Sequence, residues 1–158
     1  MPAVVIAGNG PSYLELVGQI SDTRAPVTLL GHRDDVADLL AAADVAVVSS
    51  VWEARQLFAQ EAMRAGVPLV TTAVGGVPEL VGDAAVLVPP GDVDALDAAV
   101  TRLLDDPAAR DRYADLGRRQ AATWPTPQQT AATVVEVYRE LAGSHPAADP
   151  TPPAGGGR

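Results

Sequence analysis

Apolar positions fall in short blocks that alternate with longer amphipathic stretches. Ala3 to Ala7 is an unbroken apolar run, and Val27 to Leu30, interrupted by Thr28, and Asp44 to Val48 are nearly so. Leu69 and Val70 open a fourth run, and Ala85 to Val88 form a fifth that closes at Pro89-Pro90-Gly91. Runs of this length without alternation predict parallel strands covered on both faces. Between them the spacing turns helical: Tyr13, Leu14, Val17 and Ile20 after Ser12; Val36, Leu39, Leu40 and Ala43 after a cap at Asp34 or Asp35; Leu57, Ala62 and Ala65 up to the stop at Gly66 and Pro68. From Asp92 only helices follow. Asp92 caps Val93 to Leu104, Asp106-Pro107 opens a helix through Ala122, and Thr126-Pro127 starts a last one to Leu141. Strands that alternate with helices predict an open parallel sheet with right-handed crossovers and helices on both faces, a three-layer α/β/α domain. The domain is placed at 1–142. Residues 143–158, rich in proline, alanine and glycine, are expected to be a disordered tail.

Composition narrows the partners. A chain of 158 residues with 47% hydrophobic content suits one soluble domain. A net charge of −9, with all eleven basic residues arginine, argues against nucleic acid and anionic membrane surfaces. An anionic ligand would need local donors strong enough to overcome that field. With no cysteine and only His32 and His145, no thiolate chemistry or histidine metal site is expected. The start MPAVVIAGNG lacks the features of a signal peptide, and no apolar run reaches the length of a membrane span, so a cytoplasmic location is expected.

The most function-like stretch runs from Ser49 to Glu79, a strand mouth, loop, helix, strand and glycine-rich turn. Such βαβ units bind ligands at the carboxyl ends of their strands. Glu53 and Glu61 bracket seven residues within it. On one helix they would stand about 12 Å apart and about 80° around the axis, beyond the roughly 5–9.5 Å of a glycosidase dyad. With Glu53 in the loop and Glu61 on the helix, they could line different parts of one elongated ligand, since a carboxylate can accept from vicinal hydroxyls. Gly8-Asn9-Gly10 invites a dinucleotide reading, yet Tyr13 stands where the third glycine belongs, and no acidic residue closes the second strand. A glycine turn with amides free to meet a ligand, and a tight turn with no further role, both remain open. Trp52 and Trp124 read as packing residues, and the Arg/Asp mixture at 102–119 as a solvated helix face.

Taken together, Glu53…Glu61-Ala62-Met63-Arg64-Ala65-Gly66-Val67-Pro68-Leu69-Val70 and Val74-Gly75-Gly76-Val77-Pro78-Glu79 closely resemble the E-x7-E region of retaining glycosyltransferases of family 4, which have the two-domain GT-B architecture. The likeness extends over about residues 3 to 142, through Gly8-Asn9-Gly10-Pro11, Leu30-Gly31-His32, Ala43 to Ser50, Val88 to Asp92 and Val137 to Leu141.

The resemblance implies a Rossmann-like donor-binding half that uses a nucleoside-diphosphate sugar and transfers a hexose with retention, without a metal or other cofactor. Glu53 would act on the transferred hexose and Glu61 would hold the ribose hydroxyls. Backbone at Arg55, Gln56 and Leu57 would meet sugar and diphosphate at the positive end of a helix. Gly31 and His32 would lie against the base, Gly8 and Gly10 would border the cleft, and Gly75 and Gly76 would let backbone pass close to the donor. This sequence departs from the family in two ways. Ala54-Arg55-Gln56 replaces the usual Gly-Phe-Gly, and Arg55 is nominated to supply diphosphate contacts. The domain's usual first strand is missing, together with the acceptor-binding domain, so a free domain should show raw strand edges or a rearranged sheet. The implied partners are a nucleotide-sugar and a separate acceptor-binding domain or subunit. The alternatives are a non-catalytic nucleotide-sugar-binding module, one half of a split enzyme, and an epimerase of the same architecture.

Overall fold

The structure, a computed structural model, describes residues 2–143. Almost all of the expected tail therefore lies outside the described residues. Two compact units meet at Ala122 and Thr123, and the expected 1–142 domain spans both. The first unit holds five strands and six helices: β1 (Val4–Ala7), α1 (Tyr13–Thr23), β2 (Val27–Gly31), α2 (Val36–Ala41), β3 (Ala46–Val48), α3 (Leu57–Ala65), β4 (Leu69–Thr72), α4 (Val77–Val81), β5 (Val86–Val88), α5 (Val93–Asp105) and α6 (Pro107–Ala122). The second holds α7 (Pro127–Gly143), opened by a reciprocal cap between Thr126 and Gln129.

All strand pairs are parallel, as the apolar runs predict, but the sheet comes in two blocks. One is β1-β2 and the other β3-β4-β5. A five-stranded doubly wound sheet of order 2-1-3-4-5 would join β1 to β3, and here they do not pair. The facing edges of β1 and β3 are therefore unpaired among the described residues, as raw strand edges were expected to be.

The two blocks differ in burial for that reason. β4 lies between two strands and is buried along its whole length. Val70 and Val88 pack with Leu103 of α5 and Ala109 of α6 into a core cluster, each full burial of such a side chain contributing about 1.5–3 kcal/mol. Ala59, Gln60, Ala62 and Met63 form the buried face of α3. Gly117 of α6 sits so close to Met63 that a Cβ there would lie 3.5 Å from its Cα. Gly66 ends α3 in the left-handed conformation at φ 73°, as its stop signal predicts. By contrast, β1 was expected to be covered on both faces and is exposed throughout, and α1 buries no residue.

Some local expectations are corrected. Asp35 is the residue before α2, but its carboxylate pairs with Arg33 and caps no amide, because a guanidinium two positions away offers a charge-assisted, two-pronged partner. Residues 77–81 form a short helix inside what reads as a glycine-rich turn, with Pro78 in its first turn, where its missing N–H costs nothing.

Candidate functional site

The third strand delivers the chain to Ser50, and α3 begins seven residues later, so the loop between them is held at both ends. The Ser50 hydroxyl donates to Glu53 Oε1 at 2.7 Å, and Gln56 Nε2 donates to the same oxygen at 2.7 Å. Glu53 Oε2 has no donor among the described residues, which leaves one carboxylate oxygen committed and one able to accept from a ligand hydroxyl. Gln56 does a second job. Its Oε1 accepts from the Phe58 N–H at 2.8 Å and so caps α3. Thr72 Oγ1 donates to the Ser50 carbonyl at 2.5 Å, tying the end of β4 to the start of the loop.

The glycine-rich turn closes against this loop. Gly75 has φ 51°, and a Cβ there would stand 1.7 Å from the Glu53 carbonyl oxygen; one on Gly76 would stand 2.3 Å from that of Ala54. The Gly76 N–H donates to the Glu53 carbonyl at 3.4 Å. The nearest neighbour of both glycines is therefore the Glu53–Ala54 backbone.

The other nominated residues separate into groups. Glu61 is exposed on α3, and Glu53 is half-buried in the loop, which realises the loop-and-helix arrangement. Among the described residues, Arg55 is exposed and pairs with no carboxylate, Glu53 included. Leu57 is exposed at the first position of α3. Gly8 and Gly31 meet through an N–H···O bond of 2.7 Å, and Gly8 and Gly10 line a hollow of about 240 Å³ with Asn9, Tyr13 and Leu29. His32 is exposed and bonded to Asp34 at 3.1 Å. A larger hollow of about 450 Å³, bordered by Leu87, Arg112 and Tyr113, contains no nominated residue. Ser50 and Thr72 escaped the sequence reading, because a hydroxyl gives no periodic signal, and the bond between Thr72 and Ser50 appears only when β3 and β4 lie side by side. Among the described residues no cluster of acidic or histidine side chains could hold a metal ion.

The parallel α/β fold matches that of GT-B glycosyltransferase domains on superposition. Sucrose-phosphate synthase from Thermosynechococcus elongatus matches with TM-score 0.80 at 30% identity, over 89% of this chain and 38% of that one. Anabaena HepE in complex with UDP-glucose matches with TM-score 0.73 at 25% identity, over 90% of this chain and 41% of that one. The chain belongs to the family of glycosyl transferases group 1, which matches residues 2–106. An MMP alpha-(1->4)-mannosyltransferase from Mycolicibacterium hassiacum is 40% identical over 136 residues, 84% of this chain and 33% of the relative. The chain spans about a third of the length of such curated relatives. No helix among the described residues is long and apolar enough to cross a membrane.

Proposed function

We propose that the chain is the donor-binding half of a retaining hexosyltransferase that takes a nucleoside-diphosphate sugar. The observation that carries the reading is Glu53: one oxygen is fixed by Ser50 and Gln56, and the other is uncommitted at the mouth of β3. A sugar hydroxyl can donate to that free oxygen while the ribose of the same donor reaches Glu61. Arg55, exposed and one position ahead of the cap of α3, meets the diphosphate together with the positive end of that helix. Gly8, Gly10, Gly31 and His32 border the base, and transfer proceeds without a metal, in the cytoplasm. The acceptor site lies in polypeptide beyond the third of the relatives' length that this chain spans. These residues by themselves then bind donor and complete no transfer.

Calorimetry with UDP, GDP and ADP, each alone and as its glucose or mannose conjugate, tests this in buffer containing EDTA. Saturating donor at a hundred times its dissociation constant should raise stability by about 2.7 kcal/mol. Glu53→Gln should weaken the conjugates more than the bare diphosphates, and Arg55→Ala should weaken both. No heat with any of them refutes the function. Binding by Arg55→Ala within twofold of the parent removes the phosphate role. Release of epimerised sugar nucleotide with no acceptor present identifies the epimerase instead.

A further inference from the structure

The hollow of about 450 Å³ lies beside β5, the outer strand of its sheet block, whereas the Glu53 loop follows β3 at the other edge of that block. Its walls come from three elements. Asp83 stands in a single 3-10 turn (Gly82–Ala84) ahead of β5, Ala85 and Leu87 belong to β5 and its approach, and Arg112, Tyr113 and Leu116 belong to α6. Tyr113 packs against the core cluster of Val70, Val88 and Leu103, which fixes its ring.

The Arg112 guanidinium lies 5.0 Å from the centre of that ring. Within its helical reach, three or four positions away, the acidic side chain is Asp115, and Asp115 pairs with Arg118 at 2.5 Å. Arg112 therefore has no ion pair or side-chain hydrogen bond among the described residues, and neither has the Asp83 carboxylate. Two opposite charges border one hollow without meeting each other. In a chain of net charge −9, an arginine left without a carboxylate is available to an anion. Leu87 adds backbone groups. The Val88 carbonyl accepts from the Ala73 N–H at 2.8 Å, so Val86 and Val88 turn their polar groups toward β4. Alternation turns the N–H and C=O of Leu87 to the outer edge, where no strand pairs among the described residues.

We propose that this hollow binds a small apolar zwitterion of dipeptide size. Arg112 takes its carboxylate, Asp83 takes its ammonium group, and its apolar body lies on Ala85, Leu87 and Leu116. A guanidinium fork matches a carboxylate, and stacking on a fixed ring sets that fork in place beforehand. A plain anion would meet like charge at Asp83, and a plain cation would meet it at Arg112. A ligand charged oppositely at its two ends satisfies both. Two extended residues span about 7 Å, which keeps the ligand's charges apart, and their peptide group can meet the N–H and C=O of Leu87. The volume falls among the roughly 300–1,000 Å³ of small-molecule sites. Nothing in this site depends on which donor binds at Glu53.

Leu-Leu titrated into the nitrogen-labelled 158-residue chain tests this by NMR, with acetyl-Leu-Leu lacking the ammonium group and Leu-Leu amide lacking the carboxylate. The amide resonances of Asp83 and Leu87 and the side-chain N–H of Arg112 should shift saturably with Leu-Leu. Each blocked form should bind about fivefold more weakly. In Arg112→Gln, Leu-Leu and its amide should bind alike; in Asp83→Asn, Leu-Leu and its acetyl form should bind alike. Saturating UDP-glucose should leave all of these affinities unchanged. Both substitutions fall on exposed residues, and if either variant does not fold, the three ligands on the parent decide the question. Affinities within twofold for all three ligands, or shifts that do not saturate, overturn the inference. An undiminished preference in a folded variant, or displacement by UDP-glucose, overturns it too.

Discussion

Replacing Gly75 with alanine tests how tightly the turn after β4 is keyed to the Glu53 loop. The residue has φ 51°, and an added Cβ would lie 1.7 Å from the Glu53 carbonyl oxygen, where real contacts essentially never fall under 3.0 Å. One of the two backbones must therefore retreat by more than an ångström, and neither is the free end of a flexible side chain. The left-handed conformation alone costs alanine about 1–2 kcal/mol. Displacement of the loop brings the total to roughly 2–4 kcal/mol, within the range of named backbone and packing defects. Two companions calibrate the number. Gly76→Ala meets Ala54 O at 2.3 Å without positive φ and should lose less. Gly18→Ala, inside α1 with nothing within 4 Å, should gain up to about 1 kcal/mol from helix propensity. Urea unfolding of the three variants gives the ordering. Calorimetry with UDP-glucose should show Gly75→Ala weakened even at temperatures where it is folded, because the carbonyl that moves belongs to Glu53. A Gly75→Ala variant within about 0.5 kcal/mol of the parent refutes the packing argument.

Three further predictions follow from the hydrogen bonds. Gln56→Ser can still cap α3 but releases Glu53, so stability should stay within about 0.5 kcal/mol while affinity for UDP-glucose falls relative to UDP; equal affinities would show that Gln56 has no part in placing the carboxylate. Thr71 Oγ1 is buried with no partner among the described residues, so Thr71→Val should stabilise by about 1 kcal/mol, and a measured loss in urea would mean that the hydroxyl is satisfied. Asp35 is held below its ordinary pKa first by the hydrogen bond from Arg33. Its contribution is thus present above the unfolded carboxyl's range and is lost as pH falls through the lowered folded value. An NMR titration should find Asp35 below its ordinary range in the parent and back within it in Arg33→Gln; no difference between the two would sink the assignment.

What the amino-acid sequence determined by itself is what short-range chemistry decides. Unbroken apolar runs fix which segments are strands, 3.6-residue spacing fixes α3, Gly66 and Pro68 stop it, and Asp92 caps α5, as its bond to the Ala95 amide shows. The helical spacing that begins at Leu57 allowed one carboxylate in a loop and the other on a helix, and α3 places them so. The short helix at Val77–Val81 was hidden because five residues leave too little periodicity to read. Only the tertiary structure decided that the sheet divides between β1 and β3, since every strand signal is local and none states its neighbour. It alone decided that Ser50 and Gln56 share one oxygen of Glu53, and that Gly75 is glycine because another stretch of backbone occupies the place of its Cβ. The division of the sheet and the place of Gly75 depend on segments more than twenty positions apart meeting, the Glu53 bonds on the side-chain conformations of one short loop, and no periodicity along the chain encodes either.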